Sequence, residues 1–115
     1  MSKRNPTLLL NNIIESGNFI AEYTKDFLEF EDFISDRKTV DAVIRNFEII
    51  GEAANRLPES FKNKHSSIDW NRLRGFRNRI VHEYFGIDYE IVWQITKHFL
   101  PKMILELKQI YNSQA

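Results

Sequence analysis

The sequence contains no cysteine. Disulfides, thiolate metal sites and a cysteine nucleophile are therefore excluded, and the absence fits a reducing cytosol. Glycine is scarce, and Gly51, Gly75 and Gly86 stand alone. That excludes the glycine-rich phosphate loop of nucleotide-binding enzymes. Long apolar runs are missing too. Leu8-Leu9-Leu10 is broken at once by Asn11 and Asn12, and nothing approaches the roughly 20 apolar residues of a membrane span or the pattern of a signal peptide. Net charge is absent, at +0, which argues against a generic nucleic-acid coat protein.

What is present suffices for a fold. The 115 residues, 43% of them hydrophobic, can bury a core without staples, and the length is that of one domain. The expectation is a soluble, cytoplasmic, single domain over residues 1–115. The neutral charge is also unevenly spread. Glu15, Glu22, Asp26, Glu29, Glu31, Asp32 and Asp36 face only Lys25 in their stretch. Lys62, Lys64, Arg72, Arg74, Arg77 and Arg79 face only Asp69 in theirs. Either the second stretch forms a local basic patch, or the two regions attract each other across the fold.

The hydrophobic period predicts an all-α, antiparallel up-and-down bundle of four main helices. The first is predicted over about Pro6 to Phe30, on Leu9, Ile13, Ile20, Tyr23 and Phe27. Pro6 suits its first turn, and Gly17 would admit a close neighbour. The second, Asp36 to Leu57, carries a three-four seam of Val40, Val43, Phe47, Ile50, Ala54 and Leu57 that Pro58 ends. A single helical turn is expected near Phe61. A third helix is predicted from Trp70 to Tyr84, stopped by Gly86. A fourth runs from Tyr89 to Tyr111, capped by Asp88, with Pro101 kinking it or opening a turn.

The third segment carries the chemistry-bearing residues. On a regular helix Arg77 falls on the same side as Leu73, Ile80, Val81 and Tyr84, where an unpaired guanidinium is costly. Arg77 and His82 are about 140° apart around that helix. They converge either if the arginine reaches round or if two copies of the helix meet across a dimer, and the second is favoured. Histidine can take a proton from a ribose 2′-hydroxyl or give one to a leaving oxygen. Arginine presents a fork of donors to phosphate oxygens and stabilises the added charge of a pentavalent transition state. Asn78 can orient either. No metal or other cofactor is required, because the 2′-hydroxyl already lies beside the phosphorus, and His65, His82 and His98 have no ligand spacing. The residues also admit structural roles. Arg77 could pair with an acid such as Glu52, His82 could be an interface histidine, and Tyr84 a core aromatic.

The string Trp70-x2-Leu73-Arg74-Gly75-Phe76-Arg77-Asn78-Arg79-Ile80-Val81-His82-Glu83-Tyr84-Phe85-Gly86-Ile87-Asp88 resembles the HepT-like family, the toxins of HEPN/MNT toxin–antitoxin pairs. Its signature Arg-x4-His-x-Tyr is matched by Arg77, His82 and Tyr84. The upstream Ile49-Ile50-Gly51-Glu52-Ala53-Ala54 and the downstream Ile91-Val92-Trp93 and Leu100-Pro101 also fit. The resemblance spans about Val40 to Ile110. It implies a HEPN-like homodimer and metal-independent cleavage of RNA in a type VII toxin–antitoxin system. It further implies catalytic roles for Arg77 and His82 and a supporting role for Asn78. The implied partner is a small MNT-type nucleotidyltransferase antitoxin that transfers AMP to Tyr84. Arg74 and Arg79 are candidate RNA contacts, and Glu52 a candidate accessory residue. A non-catalytic subunit that binds a nucleotide or docks the nucleotidyltransferase is the alternative.

Overall fold

Side-chain caps start four of the helices among the described residues, at Asn5, Asp36, Asp69 and Asp88. The structure, a computed structural model, describes residues 5–76 and 86–113. Helix α1 spans Pro6–Thr24. Asn5 caps it by accepting from the Thr7 and Leu8 N–H groups at 2.9 and 3.4 Å, and Pro6 occupies the first turn, where its missing N–H costs nothing. The helix stops six residues before the expected Phe30. The Thr24 hydroxyl donates back to the Ile20 carbonyl at 2.8 Å. The Thr24 carbonyl is itself taken by the Phe27 N–H and the Lys97 ammonium, at 3.0 and 3.1 Å. A carbonyl held this way closes a turn instead of continuing the i→i+4 ladder. The last part of the expected first helix, residues 25–29, is turn and loop, and a short helix that the hydrophobic period did not predict, α2 (Phe30–Ser35), follows it.

Asp36 separates α2 from α3 (Arg37–Arg56) and caps the latter through the Thr39 N–H at 3.2 Å. The expected seam is buried throughout: Val40, Val43, Phe47, Ile50 and Ala54 are fully enclosed and Leu57 nearly so. Pro58 holds Leu57 in the extended region (ψ 137°) and ends the helix there. The turn expected near Phe61 is α4 (Glu59–Lys64).

Helix α5 (Trp70–Arg74) starts at Asp69, which accepts from the Arg72 N–H at 3.0 Å. It ends at Gly75 (φ −82°, ψ −2°), whose N–H still donates to the Asn71 carbonyl at 2.9 Å. The helix expected from Trp70 to Tyr84 is interrupted by a turn at Gly75, and its part from residue 77 onward lies outside the described residues. The expected placement of Arg77 on the side of Leu73 falls on a residue outside those described. Gly86 has φ 105°, the left-handed geometry that suits a stop and that side-chain-bearing residues avoid.

The last segment begins at Asp88, which caps α6 (Tyr89–Gln94) through the Ile91 N–H at 3.2 Å. A π-helical turn over Ile95–Phe99 follows, then α7 (Leu100–Ser113). The turn answers the expectation set by Pro101. Proline has no N–H for the Lys97 carbonyl and its ring would strike that carbonyl in a regular helix. The Leu100 N–H reaches back five residues to Ile95 instead, which is the local widening that accommodates the ring.

The elements share one hydrophobic cluster, and no strand occurs among the described residues. Helix α1 packs chiefly on α3 and also on α7, α3 packs on α5, and α2 rests between α3 and α6. Gly17 makes one of these contacts possible, because a Cβ there would lie 2.9 Å from Ile104 Cγ1. Phe33 stacks on Trp93 at 5.1 Å, joining α2 to α6. Each such side chain contributes about 1.5–3 kcal/mol on full burial.

Among the described residues no ion pair joins the acidic stretch to the basic one. Every ion pair among the described residues is local: Glu22–Lys25, Arg37–Asp41, Glu52–Arg56 and Glu59–Lys62, three or four residues apart. Hydrogen bonding to Glu22, together with its negative charge, raises the Lys25 ammonium above its ordinary pKa of 10.5. No helix among the described residues is long and apolar enough to cross a membrane.

Candidate active site

The expected catalytic and modified residues Arg77, Asn78, His82 and Tyr84, and the candidate RNA contact Arg79, lie outside the described residues. The structure does show how the two ends of that stretch are fixed. On the near side, Phe76 is fully buried. Its ring meets Phe47 of α3 edge-on at 5.2 Å and Phe99 of the π turn edge-on at 5.9 Å. Such pairs add about 0.5–1.5 kcal/mol to area burial and fix ring orientation. Arg77 is thus bonded to a residue clamped between two elements. On the far side, Ile87 packs on the core and Asp88 caps α6. Tyr89 then receives a hydrogen bond at 3.3 Å from Arg37, whose guanidinium carbon lies 5.6 Å from the Tyr89 ring centroid.

The surroundings sort the expected basic patch into two kinds of residue. Lys62 is buried and donates to the Ala54 carbonyl at 3.1 Å, with Glu59 at 3.5 Å. It serves the α3–α4 corner and is not a surface cation. Lys64, Arg72 and Arg74 are exposed. Arg74 donates to the Asn71 side chain at 2.8 Å. Arg72 lies across the face of Phe99, its guanidinium carbon 4.1 Å from the ring centroid. Together with Ile91, Gln94, Ile95 and His98 these two residues line an open cleft of about 450 Å³.

Glu52 is elsewhere. It is exposed, pairs with Arg56 at 2.9 Å, and faces a second cleft of about 440 Å³ lined only by residues of α1 and α3. Arg74 is not among the residues that line that cleft. Sequence reasoning missed the cleft over Phe99. Two signals were available: Gln94 and His98 are four apart on the polar side of the last segment, and Arg72 is a cation one turn before Gly75. Nothing local announces that Phe99 lies beneath Arg72.

The described residues form an all-helical fold, and a basic, histidine-bearing stretch of the sequence lies between two packed anchors, Phe76 and Ile87. The family model described as "Ribonuclease HepT-like" matches residues 13–110, and the chain belongs to that family. It is an enzyme of the ribonuclease class. Among similar proteins, "Putative RNase MJ0127" of Methanocaldococcus jannaschii is 40% identical over 110 residues, covering 96% of this chain and 90% of that protein. "Putative RNase MJ1380" of the same organism is 41% identical over 108 residues, covering 94% and 98%. "Probable ribonuclease HepT" of Thermococcus cleftensis is 40% identical over 101 residues, covering 88% and 91%. No solved structure matches the chain.

Proposed function

We propose that this ribonuclease is the toxin of a type VII toxin–antitoxin pair, a cytoplasmic, metal-independent endoribonuclease that works as a homodimer. The observation that carries the reading is the signature Arg77-x4-His82-x-Tyr84 inside a chain matched to the HepT-like model over 13–110. His82 takes the proton from a ribose 2′-hydroxyl, and the 2′-oxygen attacks the adjacent phosphorus. The bond from phosphorus to the 5′-oxygen breaks, and that oxygen leaves with a proton. The products are a 2′,3′-cyclic phosphate and a 5′-hydroxyl. Arg77 compensates the charge that accumulates on the phosphoryl oxygens, and Asn78 orients the histidine or the substrate. Two chains contribute to one cleft, which removes the need for Arg77 and His82 to share a helix face.

The antitoxin in this reading is a small nucleotidyltransferase that attaches AMP to the Tyr84 hydroxyl. The added phosphate occupies the donors meant for RNA and closes the site. Support comes from residue type and spacing: a histidine, a guanidinium and a phenol lie within eight residues, tethered at Phe76 and Asp88.

Replacement of the two catalytic groups is the direct test. Arg77→Ala and His82→Ala are each expected to lower cleavage of RNA by about 10²–10⁴-fold, with circular dichroism unchanged and wild-type cleavage insensitive to EDTA. Full cleavage by both variants, or a strict need for a divalent ion, overturns the reading. Addition of adenylate mass at Tyr84 on co-expression with the nucleotidyltransferase tests the antitoxin part.

A further inference from the structure

The cleft over Phe99 has the makings of a nucleotide site. Its volume, about 450 Å³, falls in the range of small-ligand pockets. Its floor is apolar, built from Ile91, Ile95 and Phe99, and its rim is polar, built from Arg72, Gln94 and His98. One face of the Arg72 guanidinium is seated on the Phe99 ring at 4.1 Å. A planar cation held this way loses little freedom when a second plane stacks on its other face. The position of the cleft matters as much as its composition. Phe99 touches Phe76, and Phe76 is the residue before Arg77. The cleft therefore adjoins the point where the cutting stretch begins.

We infer that this cleft is a subsite for one nucleotide of the RNA next to the scissile phosphate. The base stacks on the guanidinium of Arg72, and the Gln94 side-chain amide bonds the edge of that base. His98 at the rim offers an imidazole nitrogen to the sugar or phosphate. Unstacked bases of single-stranded RNA are held in this manner, on aromatic or guanidinium planes with hydrogen bonds to their edges. The π turn supports the arrangement. It brings Phe99 to a half-buried position between Phe76 and Arg72, so the widening imposed by Pro101 helps to build the floor. The inference rests on the ribonuclease reading and adds to it a place for the substrate and a source of base preference.

The experiment maps cut ends on a defined single-stranded RNA and measures binding of the same labelled RNA by anisotropy in the His82→Ala background. Gln94→Ala is expected to lower cleavage at the preferred site and to broaden the base preference at one position beside the cut. Arg72→Ala is expected to weaken RNA binding by about tenfold. Arg72→Lys, which keeps the charge and loses the plane, should recover only a small part of it. Wild-type affinity and unchanged preference in Arg72→Ala and Gln94→Ala overturn the subsite while leaving the ribonuclease reading intact. Full recovery by Arg72→Lys overturns stacking. Loss confined to binding of the nucleotidyltransferase, with RNA cleavage and preference untouched, reassigns the cleft to a protein partner and also overturns the subsite. Absence of RNA cleavage by the unmodified protein takes away the reading on which the inference stands.

Discussion

Helices α1 and α3 run unbroken for 19 and 20 residues, whereas the corner around Phe76 and Phe99 is assembled from pieces of five or six. The two regions solve different problems. The α1–α3 contact needs only to bury apolar surface, and a periodic stripe on a regular helix does that with no breaks. The corner must also present a particular stretch of chain. It does so with a turn at Gly75, a left-handed Gly86, caps at Asp69 and Asp88, and a π turn before Pro101. Irregularity is concentrated where the candidate active site is anchored, and regularity where burial alone decides the outcome.

The largest effects that separate these regions come from two buried phenylalanines. Phe76→Ala and Phe33→Ala each remove a fully enclosed ring and should each cost about 3–5 kcal/mol in denaturant unfolding. They should differ in cleavage per folded molecule. Phe76→Ala unclamps the residue before Arg77 and is expected to lose most activity, while Phe33→Ala keeps it. Equal retention in both variants would break the comparison.

A smaller effect is expected at the contact between α1 and α7. In Gly17→Val the new side chain must displace Ile104, whose Cγ1 would lie 2.9 Å from the added Cβ. Overpacking of this kind costs about 1–3 kcal/mol. Thermal melting should show the loss, and cleavage measured well below the transition should be unchanged. The smallest effects belong to the caps. Asp36→Ala and Asp69→Ala each remove one side-chain bond to a helix N–H and should each cost about 1 kcal/mol. Only Asp69→Ala, which loosens α5 beside the corner, should also lower cleavage. An equal effect of the two on cleavage would show that the whole bundle, and not the corner, positions the site.

Much of this architecture is legible in the residues. The seam from Val40 to Leu57, the caps at Asp36, Asp69 and Asp88, the turn near Phe61 and the opening before Pro101 all depend on neighbours within one turn or on a strict period. Such local interactions are encoded in spacing. Where sequence reasoning overshot, a distant group had intervened or a residue tolerated two conformations. Helix α1 ends early partly because Lys97, 73 residues away, occupies the Thr24 carbonyl. Gly75 fits a helix or a turn, and the turn there interrupts the expected helix. Of the two readings left open for the charged stretches, mutual pairing shows no ion pair among the described residues, where charges on neighbouring turns satisfy each other.

The sequence by itself determined the helical class, the membership in the HepT-like ribonuclease family and the stretch from Arg77 to Tyr84 as the candidate centre, because period and motif are properties of order along the chain. Only the tertiary structure decided that Phe76 is gripped between Phe47 and Phe99, that Lys62 is a corner residue, that Glu52 faces a different cleft, and that Arg72 lies over Phe99 beside Gln94 and His98. The reason is physical. Contacts between residues tens of positions apart depend on how helices cross and where they break, and those angles emerge from the packing of all the side chains together.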